Sequence, residues 1–342
     1  MSNYDLKILK LAEKQNIKSS DVSRLLRDSI SRQQIHSILS QLVADKKLIK
    51  TGSTRYTIYI HPSNLAHLNQ IFSSTINNQN LSDEAIYQKI IKTSGLLDDM
   101  PANFTKIAHY AVTEMLNNAI EHSHSKKIIV SVSKASRKIE FTIWDRGVGV
   151  YNNVKLDRHL SSDLEAIQDL LKGKTTTAKH GHSGEGIFFT SKAVDQFILE
   201  SYGTKLQVDN NISDYTIEKT TKSYKGTKVT LVIDLDTTVV LRAIFDQYVT
   251  SPGEVGFDKT SIKIKLYEEG VDYVSRSQAR RVIEDLNKFK TIILDFDKVT
   301  NIGQAFADEI FRVFKANYPN ITIQPINTVE PVQFMIDRVE KP

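Results

Sequence analysis

The feature that most limits how this chain can fold is a helix followed by three glycine-containing motifs between residues 104 and 230. The segment FTKIAHYAVTEMLNNAIEHS repeats apolar residues at helical spacing and predicts an amphipathic helix. Its polar side carries Glu114, Asn118 and His122, four residues apart. A carboxylate, a carboxamide and an imidazole are therefore expected along one helix face.

Three further motifs follow in a fixed order. The segment KKIIVSVSKASRKIEFTIWDRGVGV predicts two strands joined by a short turn, the second leading into Asp145, Gly147 and Gly149. The segment KHGHSGEGIFF places three glycines before a predicted helix, and KGTKVTLVIDL opens a strand with Gly-Thr. The residues concerned are Gly181, Gly184, Gly186, Gly226 and Thr227.

This order, over about 130 residues, resembles the GHKL ATPase fold of histidine kinases, gyrase B, MutL and the anti-sigma-factor kinases. EMLNNAIEH is similar to the N box, DRGVG to the first glycine box, GHSGEGI to the second and GTKVTLVI to the final Gly-Thr strand. Each motif alone is weak, and a lone ExxxN is more typical of a solvated helix face. The resemblance implies a Bergerat-fold α/β sandwich that binds ATP.

The resemblance also implies roles for individual residues. Asn118 is expected to ligate a Mg²⁺ ion bridging the phosphates, and Glu114 matches the general base that activates water or a hydroxyl group. Asp145 matches the carboxylate that accepts a hydrogen bond from the adenine amine, and Thr227 matches a threonine that supports the adenine contact through water. His122 is expected among the nucleotide-binding residues.

The glycines have a backbone role in the same resemblance. Gly147 and Gly149 leave room for the purine near the main chain. Gly181, Gly184 and Gly186 would let the loop lie on the phosphates at the start of the following helix, where the helix dipole favours anions. A zinc site at His122 and His124 is disfavoured, because the chain has no cysteine and no third ligand at suitable spacing.

Residues 150–186 separate the two glycine boxes and are long for a plain connection, which predicts an ATP lid. Within it, Ser162 and Glu165 suggest a capping box and Gly173 a helix end. The sequence leaves two alternatives for the lysines of this stretch, either solvated lid residues or groups that reach the γ-phosphate. These lysines are Lys172, Lys174 and Lys179.

Positive charge is concentrated at the amino terminus. Residues 1–60 contain eleven Lys or Arg against five Asp or Glu, whereas the whole chain has a net charge of +5. The rest of the chain is therefore close to neutral, and an anionic partner is expected for this segment. No stretch approaches the roughly 18 to 20 apolar residues that cross a bilayer, so a soluble cytoplasmic protein is expected.

This basic segment predicts three short helices and a strand-turn-strand, an order that resembles a winged helix-turn-helix. The second helix is expected to begin after Ser19 or Ser20 and to bury Val22, Leu25 and Leu26. The third is expected to start at Ser31 and to act as a recognition helix. DNA contacts are assigned to Arg32, Gln33, Gln34, His36, Lys50 and Arg55, with a protein-interaction winged helix as the alternative.

The last hundred residues alternate predicted strands and helices, which indicates an α/β domain. TIILDFDKVTNIGQAFADEIFRVF is similar to the core of a STAS domain, and more closely to the STAS-like domains fused to GHKL modules. Residues 303–306 are Gly-Gln-Ala-Phe where phosphorylatable STAS proteins carry a serine. Asp295 and Asp297 are expected to be solvated strand ends.

The predicted architecture is an α/β multidomain protein with a winged helix at 1–62, a GHKL domain at 63–237 and a STAS-like domain at 238–342. Two functions remain open. One is a regulator in which Mg-ATP binding or hydrolysis switches binding of DNA or of a protein partner at the STAS-like domain. The other is an anti-sigma-factor-like serine kinase that acts on a separate protein.

Overall fold

The chain separates into two units in the computed structural model. The model describes residues 3–13, 17–26, 30–51, 57–62, 70–94, 100–135, 137–174, 185–250, 257–267 and 273–340. One unit comprises residues 1–70 with 134–136, and the other comprises 71–133 with 137–342. The boundaries of the three domains expected from the sequence stay predictions.

The first unit contains three helices and a two-stranded antiparallel sheet. Their bounds are α1 Asn3–Ala12, α2 Ser19–Leu25, α3 Arg32–Ala44, β1 Ile49–Thr51 and β2 Ile58–Ile60. Ile8, Ile35, Leu39 and Tyr59 are buried in its core. The order of helices and strands is the one predicted, and the assignment to the winged-helix class stays a prediction.

The helix starts of this unit match the sequence in one case and differ in another. Ser31 caps α3 as predicted: its hydroxyl accepts the Gln34 N–H at 3.2 Å, and the Gln34 side chain accepts the Ser31 N–H at 2.8 Å. The expected cap of α2 at Ser19 or Ser20 is wrong, because Lys18 occupies that position and its N–H donates to Asp21. Leu25, expected in the core, is 39% exposed.

The second unit contains a seven-stranded sheet in the order β3-β4-β5-β9-β6-β7-β8. The pairs β5–β9, β9–β6, β6–β7 and β7–β8 are antiparallel. The strands are β3 Gln70–Asn77, β4 Lys127–Ala135, β5 Lys138–Asp145, β6 Gln196–Ser201, β7 Thr204–Asp209, β8 Asp214–Lys219 and β9 Thr227–Asp234. The largely polar segment QIFSSTIN forms strand β3.

Five helices accompany this sheet. They are α4 Asp83–Ser94, α5 Ala102–Glu121, α6 Val150–Arg158, α7 Asp163–Lys172 and α8 Gly186–Ala193. Helix α5 packs on β5 and β9 and buries Phe104, Ala111, Met115 and Ala119. Because one side of α5 is apolar along its whole length, its polar side is held at a fixed rotation relative to the sheet.

The two faces of the sheet differ in chemistry. Residues of β6 and β7 alternate between buried and half-buried, and Phe197 and Leu206 are among those on the buried side. On the other side Lys228 of β9 pairs with Glu200 of β6 at 2.9 Å, and Lys205 of β7 pairs with Glu218 of β8 at 3.0 Å. Glu200 and Lys205 are directly opposite each other, so the charges alternate across the strands.

The described part of the predicted lid before residue 175 contains the two helices α6 and α7. Tyr151 and Val154 of α6 and Ile167 and Leu170 of α7 are buried in the same core as α5 and the sheet. The Ser162 hydroxyl accepts the Glu165 N–H at 3.2 Å, but the Glu165 carboxylate accepts the Ser161 N–H at 2.8 Å, so the expected capping box is only half formed. Helix α7 ends at Gly173, the expected position, with φ of +79°. The extent of an ATP lid stays a prediction.

The carboxyl-terminal region of this unit has a parallel sheet in the order β10-β11-β12. A π-helical turn, Asp308–Phe314, joins α11 and α12 without a break. The elements are α9 Leu241–Asp246, β10 Lys259–Lys263, α10 Arg276–Ile283, β11 Thr291–Asp295, α11 Gln304–Ala307, α12 Lys315–Asn317, β12 Thr322–Ile326 and α13 Glu330–Glu340. None of the helices in the described parts of the chain has the length and hydropathy to cross a membrane.

Asp295 corrects an expectation from the sequence. It is 8% exposed rather than solvated, and its carboxylate accepts hydrogen bonds from Asn327 Nδ2 at 2.8 Å, Asp297 N–H at 3.0 Å and Lys263 Nζ at 3.1 Å. Burial raises the pKa of this carboxyl, but the three donors together hold the pKa below its ordinary value. Asp295 therefore joins the ends of all three parallel strands.

Asp163 offers a test of the packing around α7. Its carboxylate accepts hydrogen bonds from Lys155 Nζ at 2.6 Å, Lys219 Nζ at 2.9 Å and the Thr204 hydroxyl. Partial burial raises its pKa, but these donors hold the pKa well below the ordinary value. The stabilisation is thus complete above about pH 4 and is lost as the pH falls. We expect Asp163→Asn to lower the free energy of unfolding by about 1–3 kcal/mol at pH 7.

The measurement is urea denaturation of the full chain between pH 2.5 and 7. The difference between wild type and Asp163→Asn is expected to shrink below pH 4. Asp236→Asn is the control, because Asp236 pairs with Arg137 at an exposed site and should change stability by less than about 0.5 kcal/mol. A difference for Asp163→Asn that is independent of pH would contradict the ionic role.

Candidate nucleotide site

Glu114 and Asn118 lie one turn apart on the polar side of α5, next to the first residue of α8. A Cβ atom added at Gly186 would lie 2.4 Å from Glu114 Oε2 and 3.7 Å from Asn118 Nδ2. The two side chains and the backbone of Gly186 therefore converge. A larger residue at position 186 would have to displace the Glu114 carboxylate.

The Asn118 side chain is half-buried, and its amide nitrogen is buried and unsatisfied. This Nδ2 atom has no hydrogen-bond partner among the described residues. A buried polar atom without a partner costs free energy, and a rotation of χ2 by 180° exchanges the nitrogen and oxygen of the amide. The Asn118 amide therefore has an unused hydrogen-bonding atom at this position.

Tyr110 and Glu185 also belong to this site, and sequence reasoning missed both. Burial raises the pKa of the Tyr110 hydroxyl, and the nearby carboxylates of Glu114 and Glu185 raise it further. Tyr110 lies one turn before Glu114 on α5, and Glu185 is the N-cap of α8. The spacing of Tyr110 and Glu114 on one helix face was the available signal.

Asp145 forms a second group of site residues at the end of β5. Its carboxylate is 3% exposed, and Oδ1 accepts the N–H of Gly147 at 2.8 Å and the N–H of Thr227 at 3.2 Å. The Thr227 hydroxyl accepts the Val150 N–H at 2.9 Å. The first glycine box, the Gly-Thr strand and the start of α6 are therefore joined around one carboxylate.

Burial has the largest effect on the pKa of the Asp145 carboxyl. It raises the pKa of the carboxyl above its ordinary value, and the hydrogen bonds from Gly147 and Thr227 lower it by less. The charged form is therefore poorly solvated in the protein. An additional hydrogen-bond donor, such as an exocyclic amine, would stabilise it.

Glycines allow the main chain to approach this carboxylate. A Cβ atom at Gly147 would lie 1.7 Å from the Ser123 carbonyl oxygen, and one at Gly226 would lie 2.6 Å from Asp145 Oδ1. Gly149 and Gly226 also have positive φ, +86° and +80°. No other residue type fits these positions without movement of the backbone.

The end of α5 contacts the Asp145 loop through its main chain. His122 is the C-cap of α5, and its carbonyl accepts Asn153 Nδ2 at 2.7 Å. The next carbonyl, that of Ser123, accepts the Val148 N–H at 2.9 Å. The described bonds give His122 a role in the main chain, and its role as a nucleotide ligand stays a prediction.

Lys172 differs from both alternatives that the sequence left open. It is 4% exposed, and its ammonium donates to the carbonyls of Arg281 at 2.7 Å and Glu284 at 3.0 Å. It is neither a solvated residue nor a group directed at a phosphate, since its donors go to the end of α10. Lys179, Gly181 and Gly184 lie outside the described residues.

The fold and these two groups define a GHKL-type nucleotide-binding domain, and comparison with known families agrees. Residues 61–209 match the family model of the histidine kinase-like ATPase domain. Residues 278–333 match that of the STAS-like domain of unknown function (DUF4325). The chain therefore contains a histidine kinase-like ATPase domain followed by a STAS-like domain. No curated protein matches the chain.

The ATPase domain implies ATP binding, and this class of domain typically uses Mg²⁺ with it. The residues present fit these groups. An incompletely satisfied amide and a carboxylate converge at Gly186, and amide oxygens and carboxylates suit a hard cation such as Mg²⁺. A buried carboxylate faced by glycines fits a flat heterocycle with an amine.

Gly226 and Gly203 provide a matched test of the Asp145 group. Both have positive φ, +80° and +84°, so alanine adds similar backbone strain of about 1–2 kcal/mol at either position. At Gly226 the new Cβ would lie 2.4–2.6 Å from atoms of Asp145 and Gly147, whereas at Gly203 its nearest neighbour is 3.6 Å away. We expect Gly226→Ala to cost about 1–3 kcal/mol more than Gly203→Ala.

Urea denaturation of the two full-length variants measures this difference. Equal losses would show that the close packing of Gly226 on Asp145 does not exist.

Proposed function

We propose that the protein is an ATP-binding regulator, in which Mg-ATP binding or slow hydrolysis switches the binding of DNA or of a protein partner. The observation that carries the proposal is the convergence of Glu114, Asn118 and Gly186 between two buried helices. The separate enclosure of Asp145 by Gly147 and Gly226 supports it. Two polar groups of this kind suit the two ends of one nucleotide.

Each group has a distinct chemical task in this proposal. Asp145 accepts a hydrogen bond from the adenine amine. Thr227 holds the carboxylate in place with its N–H and the adjoining loop with its hydroxyl. Asn118 supplies an amide oxygen to Mg²⁺, which would neutralise charge on the phosphates. Glu114 orients and deprotonates the attacking water, while Gly186 and the start of α8 leave space for the phosphates.

The alternative is phosphoryl transfer to a serine of a separate protein. It has the same nucleotide site and differs in the acceptor, because Glu114 would then deprotonate a hydroxyl group. Transfer to the chain's own STAS-like domain is disfavoured, since Gly303 to Phe306 replace the serine segment. Incubation with γ-labelled ATP separates these functions: free phosphate alone supports the regulator, and label on a protein supports the kinase.

DNA is the proposed partner of the first unit. Arg32, Gln33, His36 and Lys50 are exposed, as base or phosphate contacts require, and Arg55 lies outside the described residues. Gln34 is also exposed, but its carbonyl oxygen is engaged by the Ser31 N–H. Affinity for DNA that falls steeply with salt would support this partner, because bound cations are released from the phosphates.

Asp145→Asn tests adenine recognition. Asparagine keeps the acceptor for Gly147 and Thr227 but presents an amide donor or a neutral oxygen to the adenine amine. We expect ATP affinity to fall about 10- to 100-fold, the value of a hydrogen bond to a charged group. Because the raised pKa of Asp145 means that its charge destabilises the fold at neutral pH, the nucleotide-free variant should be at least as stable as wild type.

Calorimetric titration gives the affinity, and thermal melting with and without ATP gives the stability. Wild type must melt at a higher temperature with ATP, because a ligand of the native state stabilises it. Absence of that shift would overturn the proposal of ATP binding.

Glu114→Gln tests the catalytic task separately. The change keeps the shape of the side chain and removes its basicity, so we expect turnover of ATP to fall at least 100-fold. ATP affinity should stay within about threefold of wild type. Phosphate release and calorimetric titration measure the two quantities. Unchanged turnover would remove Glu114 from the chemistry and leave nucleotide binding intact.

A further inference from the structure

Helix α8 begins at the nucleotide site with Gly186, helix α7 packs against α8, and both helices are attached to the carboxyl-terminal region. At the end of α7, the Lys172 ammonium donates to the carbonyls of Arg281 and Glu284, at the end of α10. The Lys172 carbonyl in turn accepts the hydroxyl of Thr260, in β10, at 2.8 Å. Both the side chain and the main chain of Lys172 are therefore held by the carboxyl-terminal region.

Lys172 is bound to the end of α10 by hydrogen bonds from its ammonium group. Its ammonium is buried, and its two acceptors are carbonyls at the negative end of a helix dipole. Burial lowers the pKa of Lys172 to about 8, although the carboxylates of Asp169, Glu284 and Asp285 raise it. A buried cation that lost these carbonyls would be costly, so partial separation of α7 and α10 is disfavoured.

An ion pair reinforces this contact. Arg158, at the end of α6, donates from Nη1 to Asp285 Oδ2 at 2.6 Å, just beyond the end of α10. The ring of Phe257 packs on Gly173, at the end of α7, and enlarges the contact between α7 and the carboxyl-terminal region. A Cβ atom added at Gly173 would lie 2.5 Å from this ring.

Helix α8 is attached by aromatic rings. Phe188 and Phe189 are buried, with ring centroids 4.9 Å from Phe257, and Phe188 lies 4.9 Å from Tyr248. Phe189 also lies 4.7 Å from Phe245, in α9. These two phenylalanines belong to the core of the carboxyl-terminal region rather than to that of the ATPase sheet.

The same aromatic rings also connect the carboxyl-terminal region with Glu114, the proposed catalytic carboxylate. Phe188 is two residues from Gly186, which contacts Glu114. Tyr110, one turn before Glu114, places its ring 5.4 Å from Phe245 at 86°. Glu114 is thus connected to the carboxyl-terminal region by two short routes, one through α8 and one through α5.

We propose that the STAS-like region regulates the ATP site by holding α7 and α8, so that binding of Mg-ATP and the local stability of α10 are coupled. The inference rests on the ATP binding proposed above and names its regulation. Coupling of this kind is reciprocal: the factor by which docking of α10 on α7 strengthens ATP binding equals the factor by which ATP binding favours that docking. A ligand of the STAS-like region would reach the ATP site through these contacts.

The test is hydrogen exchange of residues 276–283 in the full chain, with and without Mg²⁺ and a non-hydrolysable ATP analogue. In wild type we expect the analogue to raise protection of these amides at least fivefold. Lys172→Met keeps the apolar stem and removes the ammonium, and should reduce that effect to less than twofold. Lys205→Met is the control, because Lys205 pairs with Glu218 on β8 and should behave as wild type.

Thr260→Val is a second variant in case Lys172→Met does not fold. It removes only the hydroxyl bond to the Lys172 carbonyl, and should at least halve the effect of the analogue on α10. If the analogue raises the melting temperature of wild type but leaves α10 exchange unchanged, the coupling is wrong and ATP binding stands. If it does neither, ATP binding and the coupling are both wrong. An equal effect in wild type and both variants would also overturn the role of Lys172.

Discussion

Helix α5 has to bury one side against the sheet and hold polar side chains on the other, and the rest of the second unit depends on both. One side of it is apolar from Phe104 to Ala119 and packs against the sheet. The other side has to keep Glu114 and the unsatisfied amide of Asn118 out of that core, next to Gly186. Because burial of the apolar side fixes the rotation of the helix, it also sets the direction in which these polar groups point.

Helix α5 also links the two groups of the nucleotide site. The carbonyl of Ser123, just beyond its end, contacts the loop that encloses Asp145, while Glu114 faces α8 two turns earlier. A rotation or shift of α5 would therefore disturb both groups together. The Asp145 carboxylate is buried in this loop, and its raised pKa shows that the fold disfavours its charge. The cost is offset only if the carboxylate finds a further donor.

The sequence predicted the parts of the site that depend on local patterns. The helical spacing of Glu114 and Asn118, the strand before Asp145 and the cap of α7 at Ser162 are all present. What it missed depends on contacts between distant residues. Lys172 looks like any exposed lysine in a Lys-rich stretch, and only the arrival of α10 more than a hundred residues later buries it. Asp295 was misjudged for the same reason, since its donors Lys263 and Asn327 come from the end of β10 and from the residue after β12.

The alternating charges on the second face of the large sheet have a consequence for folding. The buried side of β6 and β7 forbids a slip by one residue, because that would turn Phe197 and Leu206 outward. A slip by two residues keeps the apolar side chains inward, so their burial does not exclude it. It would move Glu200 of β6 away from Lys205 of β7, which now lies directly opposite, and opposite charges that face each other across strands are worth about 0.2–1 kcal/mol. The charged face of the sheet therefore favours one strand alignment over another that keeps the same apolar side chains buried.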